Sequence, residues 1–125
     1  MKCQKGQATV ELAFSLIFLF LIFFGIIDFG RLIHAHMALD HAGREAARVA
    51  SVGSVDIEQK ARSAIRGLDE SSVGVSVSFD DPAKSRGSNV TVRLSYPFEL
   101  VTPLIPQFFS SDSFTIENST VMRVE

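Results

Sequence analysis

Glu11 is the side chain whose position most needs a chemical explanation. It carries the only charge between Gln7 and Ile27. A carboxylate at the edge of an apolar helix is costly, so it generally has a partner or a function, although it can also reach the water at a membrane surface. Gly6 stands five positions earlier and completes the pattern G-x-x-x-x-E at the start of the apolar run. We therefore take Gly6 and Glu11 together as the first candidate functional residues.

The remaining residues do not point to catalysis or metal binding. His34 and His36 would point about 200° apart on a helix, and His41 lies roughly two turns beyond His34, so the three cannot share one ion. The sequence contains no nucleophile elbow, no His-Glu-x-x-His motif and no glycine-rich phosphate loop. We expect no enzymatic activity, no metal and no cofactor.

Charge and cysteine content argue against two further classes. The formal net charge of -2 provides no broad basic surface, so we expect no nucleic-acid partner. Cys3 is the only cysteine, so the chain forms no internal disulfide.

The element that carries Glu11 is predicted to span a membrane. Leu12 to Ile27 runs for 16 residues without a charge, and Ala8 to Val10 extend the apolar stretch to the roughly 20 residues that cross a bilayer. No small-residue signal-peptidase site follows it, so the helix is not a cleaved signal. Because Lys2 and Lys5 precede it, we expect a single-pass protein with a cytoplasmic N-terminus and an outward C-terminal domain.

Beyond the membrane the helix is predicted to continue as a stalk with one narrow apolar stripe. Its members recur at alternating spacings of three and four residues, which is the helical period. Several are alanines, and small residues let two helix backbones approach closely. The stripe packs either on the chain's own C-terminal domain or on another subunit. It comprises Leu32, Ala35, Leu39, Ala42, Ala46 and Val49.

Residues 51–125 are predicted to form a small α+β head. Ser54 or Asp56 can cap a short helix with Gly67 near its end. The apolar side of that helix comprises Ile57, Ala61, Ile65 and Leu68. Strands with a period of two are expected at 73–79, 90–96 and 114–124, the first two as an antiparallel pair. The predicted fold class is therefore α+β, with a long N-terminal transmembrane and stalk helix and a small antiparallel sheet.

The segment from Val101 to Phe109 is apolar, but Pro103 and Pro106 exclude a regular inner strand. It is either a packed loop or, if its side chains are exposed, a docking patch. That patch would consist of Leu104, Ile105, Phe108 and Phe109.

Three segments resemble the TadE-like family, the pseudopilins or minor pilins of tight-adherence (Flp, type IVb) pilus systems. They are GQATVEL at 6–12, IDFGR at 27–31 and AGREAAR at 42–48. The first pattern alone is weak, whereas all three in this order are specific. The clear resemblance covers residues 6 to about 50.

The resemblance implies that a prepilin peptidase cuts between Gly6 and Gln7. Residues 1–6 would then be a leader and residues 7–50 the transmembrane and stalk helix. The new ammonium group of Gln7 would pair with Glu11 of a neighbouring subunit and set the register of assembly.

The implied location is the bacterial inner membrane, with possible incorporation into a surface pilus used for adhesion. The implied partners are the peptidase, other pilins or pseudopilins and the pilus assembly platform, in a homo- or hetero-oligomer. Leu12 stands where related pilins often carry an aromatic residue, and the chain has a real C-terminal domain. Both features favour a minor component over a shaft subunit.

Two alternatives remain open. The chain could be a signal-anchored extracytoplasmic binding protein in which G-x-x-x-x-E arises by chance, and cleavage after Gly6 separates the two readings. It could also be a pseudopilin of type II secretion, although the alanine-rich segment around Arg44 and Arg48 favours the TadE-like reading.

Overall fold

The computed structural model consists of one long helix with a small head packed on its C-terminal half. It describes residues 3–103, Gln107 and residues 113–125. Helix α1 runs from Cys3 to Ser51, 49 residues, or about 74 Å at 1.5 Å per residue. The segment contains no proline and its glycines are isolated, so the helical hydrogen bonds continue without a break.

The side chains in the first half of α1 are exposed. Every residue from Gly6 to Phe23 is exposed, and the most apolar 18-residue window has a mean hydropathy of 2.7 with none of it buried. Helix α1 is therefore long and apolar enough to cross a membrane.

The head contains a second helix and a three-stranded sheet. Helix α2 spans Ile57–Ala64, a short 3-10 helix spans Glu70–Ser72, and strands β1, β2 and β3 span Gly74–Phe79, Asn89–Glu99 and Ser113–Arg123. The strands lie in the order β1-β2-β3 and both pairs are antiparallel, with Val92 opposite Val77 on one side and Thr120 on the other. These elements confirm the predicted α+β class and the antiparallel pairing of the first two strands.

Strand β2 is longer than predicted because it continues through Pro97. Strand β1 begins at Gly74 opposite Ser95, so beyond that point β2 has only β3 beside it, and Pro97 lies opposite Thr115. A residue without an N–H is tolerated where one edge of a strand has no partner.

Helix α2 is shorter than predicted. It ends at Ala64, and Ile65 is already extended with ψ at 128°. The Arg62 guanidinium holds the returning chain by donating to the carbonyl oxygens of Glu70 at 2.7 Å and Val73 at 3.0 Å. Asp56 occupies the N-cap position without a side-chain capping bond, yet Ile57, Ala61 and Ile65 are all buried.

The core lies between one face of the sheet and the two helices. Buried residues of α1 include Leu39, Ala42, Ala46 and Ala50, and those of β2 include Val90, Val92 and Leu94. Strand β3 crosses α1 so closely at Gly43 that a Cβ there would stand 2.7 Å from Oγ1 of Thr120. A glycine fits this crossing because even a methyl group at this position would force the Thr120 side chain to move.

Candidate functional site: the N-terminal helix and its junction with the head

Gly6, Gln7 and Glu11 lie in the first turns of α1, at the end of the helix away from the head. All three are exposed, and a Cβ built at Gly6 would meet no atom within 4 Å. Glu11 lies one helical turn above Gln7, and its carbonyl oxygen accepts a hydrogen bond from the Ser15 hydroxyl at 2.9 Å. The Gly6–Gln7 bond and the Glu11 carboxylate are thus both open to molecules outside the chain.

The predicted stalk stripe divides between the head and the surface. Ala35, Leu39, Ala42 and Ala46 are fully buried by the head, whereas Val49 is half-buried. Leu32 remains exposed and lines an apolar groove between α1 and the end of the sheet. Most of the stripe therefore serves packing within the chain.

The predicted docking patch of Leu104, Ile105, Phe108 and Phe109 lies outside the described residues. The chain leads into it at Pro103 and leaves it at Ser113, where β3 begins.

Asp28 forms the main polar junction between the helix and the head. It follows directly on the apolar segment and is only 4% exposed. Its Oδ1 accepts from the Val101 backbone N–H at 2.9 Å. Its Oδ2 accepts from the Thr102 backbone N–H at 2.8 Å and from the Thr102 hydroxyl at 2.5 Å. A buried carboxylate with three such donors is satisfied, and each donor in turn depends on it.

Arg31 closes the junction one turn further along α1. Its Nη1 lies 3.2 Å from Oδ1 of Asp28 and donates to the Glu99 carbonyl oxygen at 3.2 Å. The guanidinium carbon also stands 5.1 Å from the centre of the Phe98 ring, within the range of a cation–π interaction. Together Asp28 and Arg31 attach the end of β2 and the segment after it to α1.

The junction places the head immediately beyond the apolar segment. Because the Asp28 carboxylate binds the backbone at Val101 and Thr102, this part of the head lies at the height of Asp28 along the helix. No linker separates the two, so the orientation of the head follows that of the helix.

The sequence alone singled out Asp28 and Arg31 only as members of the IDFGR segment at 27–31. Their spacing of three residues, on one side of a helix, was the signal that could have paired them. The partners on the head could not be read from the sequence, because Thr102 is 74 positions away.

The histidines remain apart in the structure. His34 packs against Gly67, close enough that a Cβ there would lie 2.6 Å from its Nε2, and His36 and His41 are exposed. Within residues 3–103, Gln107 and residues 113–125, no three His, Cys, Asp or Glu side chains are grouped to hold a metal ion.

Comparison with protein families finds a match over the N-terminal helix. Residues 6–48 match the family described as TadE-like protein. The matched range contains Gly6, Glu11, Asp28, Arg31 and Gly43, and it ends three residues before α1 does. Neither the curated proteins nor the solved structures provide a match.

Proposed function

We propose that this chain, which carries the TadE-like family segment at residues 6–48, is a pilin-like subunit processed by a prepilin peptidase and assembled in a tight-adherence pilus system. The family match over residues 6–48 supports a role in a Tad pilus system. Cleavage between Gly6 and Gln7, the minor-pilin role and a contribution to surface adhesion are the finer parts of the proposal.

The main support for the proposal is that the apolar side chains in the N-terminal half of α1 are exposed. An apolar helix that its own chain leaves exposed from Gly6 to Phe23 needs a bilayer or other helices around it. The same segment begins with the G-x-x-x-x-E pattern, and it falls within the family match. We infer a single pass through the bacterial inner membrane with the head outside.

Cleavage would create the charge that Glu11 is placed to meet. The new ammonium group on Gln7 would stand at a helix N-terminus, where the helix dipole disfavours a positive charge. A carboxylate from a neighbouring subunit would offset that charge, and an unpaired charge in apolar surroundings costs several kcal/mol. We therefore propose that Glu11 aligns one subunit against the next.

The intact mass of the protein from membranes of cells with and without the prepilin peptidase tests the proposal. We expect residues 1–6 to be missing only when the peptidase is present. A Gly6→Val variant is the matched control, because it changes the residue before the cut without touching the head, and it should keep the full mass in both strains. An uncut wild-type chain in both strains would contradict the proposal and favour a signal-anchored binding protein.

A further inference from the structure

A cavity of about 630 Å³ lies beside the Asp28 junction, between α1 and the head. On α1 it is bounded by Ile27, Gly30, Arg31 and His34, and on the head by the 3-10 turn before β1 and by the end of β2. Its volume falls within the range of about 300–1,000 Å³ that is usual for small-molecule sites. The proposed function does not use this cavity.

The cavity opens at the level where the apolar segment ends. The largely apolar run from Ala8 to Ile27 covers 20 residues, or about 30 Å of helix, which matches the hydrocarbon core of a bilayer. Arg31 stands about 6 Å further along α1, and headgroups occupy roughly 5–7 Å on each side of the core. In a bilayer the cavity therefore lies at the depth of the phospholipid headgroups, with Ile27 at its apolar end.

Arg31 retains hydrogen-bond donors for an anion in the cavity. Its Nη1 donates to the Asp28 carboxylate and the Glu99 carbonyl oxygen, while none of the described residues accepts a hydrogen bond from its Nε or Nη2. His34 lies on the same wall of the cavity, about one turn further along α1. Because a guanidinium can bind a phosphate through two parallel hydrogen bonds, this wall suits a phosphate group.

Two carboxylates line the head side of the same cavity. Asp69 and Glu99 are both exposed. Hydrogen bonds from Ser71 and Ser72 lower the pKa of Asp69, so it is charged at neutral pH. Glu99 contributes its carbonyl oxygen to the junction, and its carboxylate is not part of that bond. Carboxylates across a cavity from a guanidinium suit a ligand that carries an ammonium group close to a phosphate.

Gly30 keeps the cavity open on the α1 side. It lines the cavity, and a Cβ at this position would meet no atom within 4 Å. A glycine inside a helix is destabilising relative to alanine, and here a methyl group would have room. A longer side chain at this position would fill part of the cavity without displacing the head.

We propose that this cavity binds the headgroup of phosphatidylethanolamine, with the phosphate on Arg31 and the ammonium group beside Asp69 and Glu99. The charges of the site determine the choice of headgroup. Phosphatidylcholine has no ammonium N–H to donate to the carboxylates, and phosphatidylglycerol has no positive group to offset them. The inference rests on the membrane-spanning part of the proposed function but not on cleavage after Gly6.

Native mass spectrometry of the full chain released from lipid nanodiscs tests the site. The discs contain phosphatidylethanolamine, phosphatidylcholine and phosphatidylglycerol in equal amounts and with identical acyl chains. Gly30→Leu fills the cavity, and Glu99→Gln removes one carboxylate but keeps the backbone contact with Arg31. The matched controls are Gly25→Leu, at another position of α1 where a Cβ has no neighbour within 4 Å, and Glu70→Gln, at an exposed carboxylate that does not line the cavity.

We expect the wild type and both controls to retain phosphatidylethanolamine in preference to the other two lipids. Gly30→Leu and Glu99→Gln should each retain on the order of tenfold less of it, while the melting temperature of the head stays unchanged. Equal retention of the three lipids by the wild type would overturn the inference. Unchanged retention in either cavity variant, or an equal loss in a control, would overturn it as well.

A second experiment distinguishes a lipid from a free phosphate ester. It uses discs of phosphatidylcholine alone with soluble phosphoethanolamine added. Binding of the soluble compound, without retention of phosphatidylethanolamine from the mixed discs, would overturn the assignment of a lipid.

The same spectra separate this inference from the proposed function, because the mass of the chain shows whether residues 1–6 have been removed. The protein is taken from cells that contain the prepilin peptidase. Phosphatidylethanolamine on an uncut chain would contradict only the processing step. A cut chain that does not select this lipid would contradict only the headgroup site.

Discussion

The two halves of α1 form one continuous helix, but they differ in the apolar side chains they carry because their surroundings differ. From Gly6 to Phe23 no side chain is covered by the rest of the chain, and large apolar residues point in every direction. From Asp28 to Ser51 one face is buried and consists mainly of alanine, with Leu39 as its one large apolar side chain. The apolar residues of the first half are therefore suited to surroundings outside the chain. Those of the second half are suited to close packing against the head.

The largest expected effect on the head comes from Asp28→Ala. The change leaves the N–H groups of Val101 and Thr102 and the Thr102 hydroxyl without their acceptor, in a site where Thr102 is 1% exposed. We expect a loss of about 3 kcal/mol in the free energy of unfolding. Unfolding in detergent micelles can be followed by the fluorescence of Tyr96, the only tyrosine in a chain without tryptophan.

Glu45→Ala is the matched control for Asp28→Ala. Glu45 also pairs with an arginine three residues away on α1, at 2.8 Å, but that pair lies at the surface. We expect no measurable change in stability from this variant. Equal stability of both variants would show that the Asp28 junction does not hold the head.

A smaller loss is expected from Gly43→Leu. A side chain at this position meets Thr120 and Asn118 of β3, so the strand has to move away from the helix, at a cost of about 1–3 kcal/mol. Gly30→Leu is the same substitution on the same helix, where nothing lies within 4 Å of the new Cβ. An equal loss of stability in the two variants would contradict the close contact of Gly43 with β3.

Acid is expected to weaken the head slightly through Asp69. Hydrogen bonds from the Ser71 hydroxyl, the Ser71 N–H and the Ser72 hydroxyl lower the pKa of Asp69. A lowered pKa in the folded state means that this stabilisation is present above the unfolded-state pKa and is lost as pH falls below about 4. Asp69→Asn should therefore show a smaller drop in melting temperature between pH 5 and pH 3 than the wild type. An identical drop would mean that the carboxylate contributes nothing.

Glu11→Leu should leave the stability of the head unchanged, because Glu11 is exposed and no described residue of the head contacts the first turns of α1. The same variant should still lose residues 1–6 but fail to enter pili, since its carboxylate no longer pairs with the ammonium group of a neighbour. Mass spectrometry of the membrane fraction and immunoblots of sheared pili measure the two steps separately. Normal incorporation into pili would refute the pairing role.

The sequence predicted the general architecture because that architecture depends on local patterns. An uncharged run from Leu12 to Ile27 and a period of two from Val73 to Phe79 are visible in any short window. The ends of the elements were harder, because they depend on neighbours in space. The second strand was predicted to end at Tyr96, but β2 continues through Pro97, which is tolerated because β1 stops beside Ser95.

The residues of the candidate site also differ in whether the sequence alone could identify them. Gly6 and Glu11 could be selected because the pattern that joins them is short and lies in one stretch of sequence. Asp28 and Gly43 could not, because what explains them is on β3 or on the segment after β2. The roles of both became visible only when the distances to Thr102 and Thr120 were known.

The head is fastened to α1 at both ends of their contact. Asp28 holds Val101 and Thr102 near the apolar segment, and at the far end the Glu125 N–H donates to the Ser51 carbonyl oxygen at 3.1 Å. We therefore expect the helix and the head to change orientation together as one unit. If the helix leans by about 20°, a common tilt for a membrane helix, the top of the head moves sideways by about 12 Å over the roughly 35 Å between Asp28 and Ser51. A modest change of angle within the bilayer thus becomes a large change in where the head points.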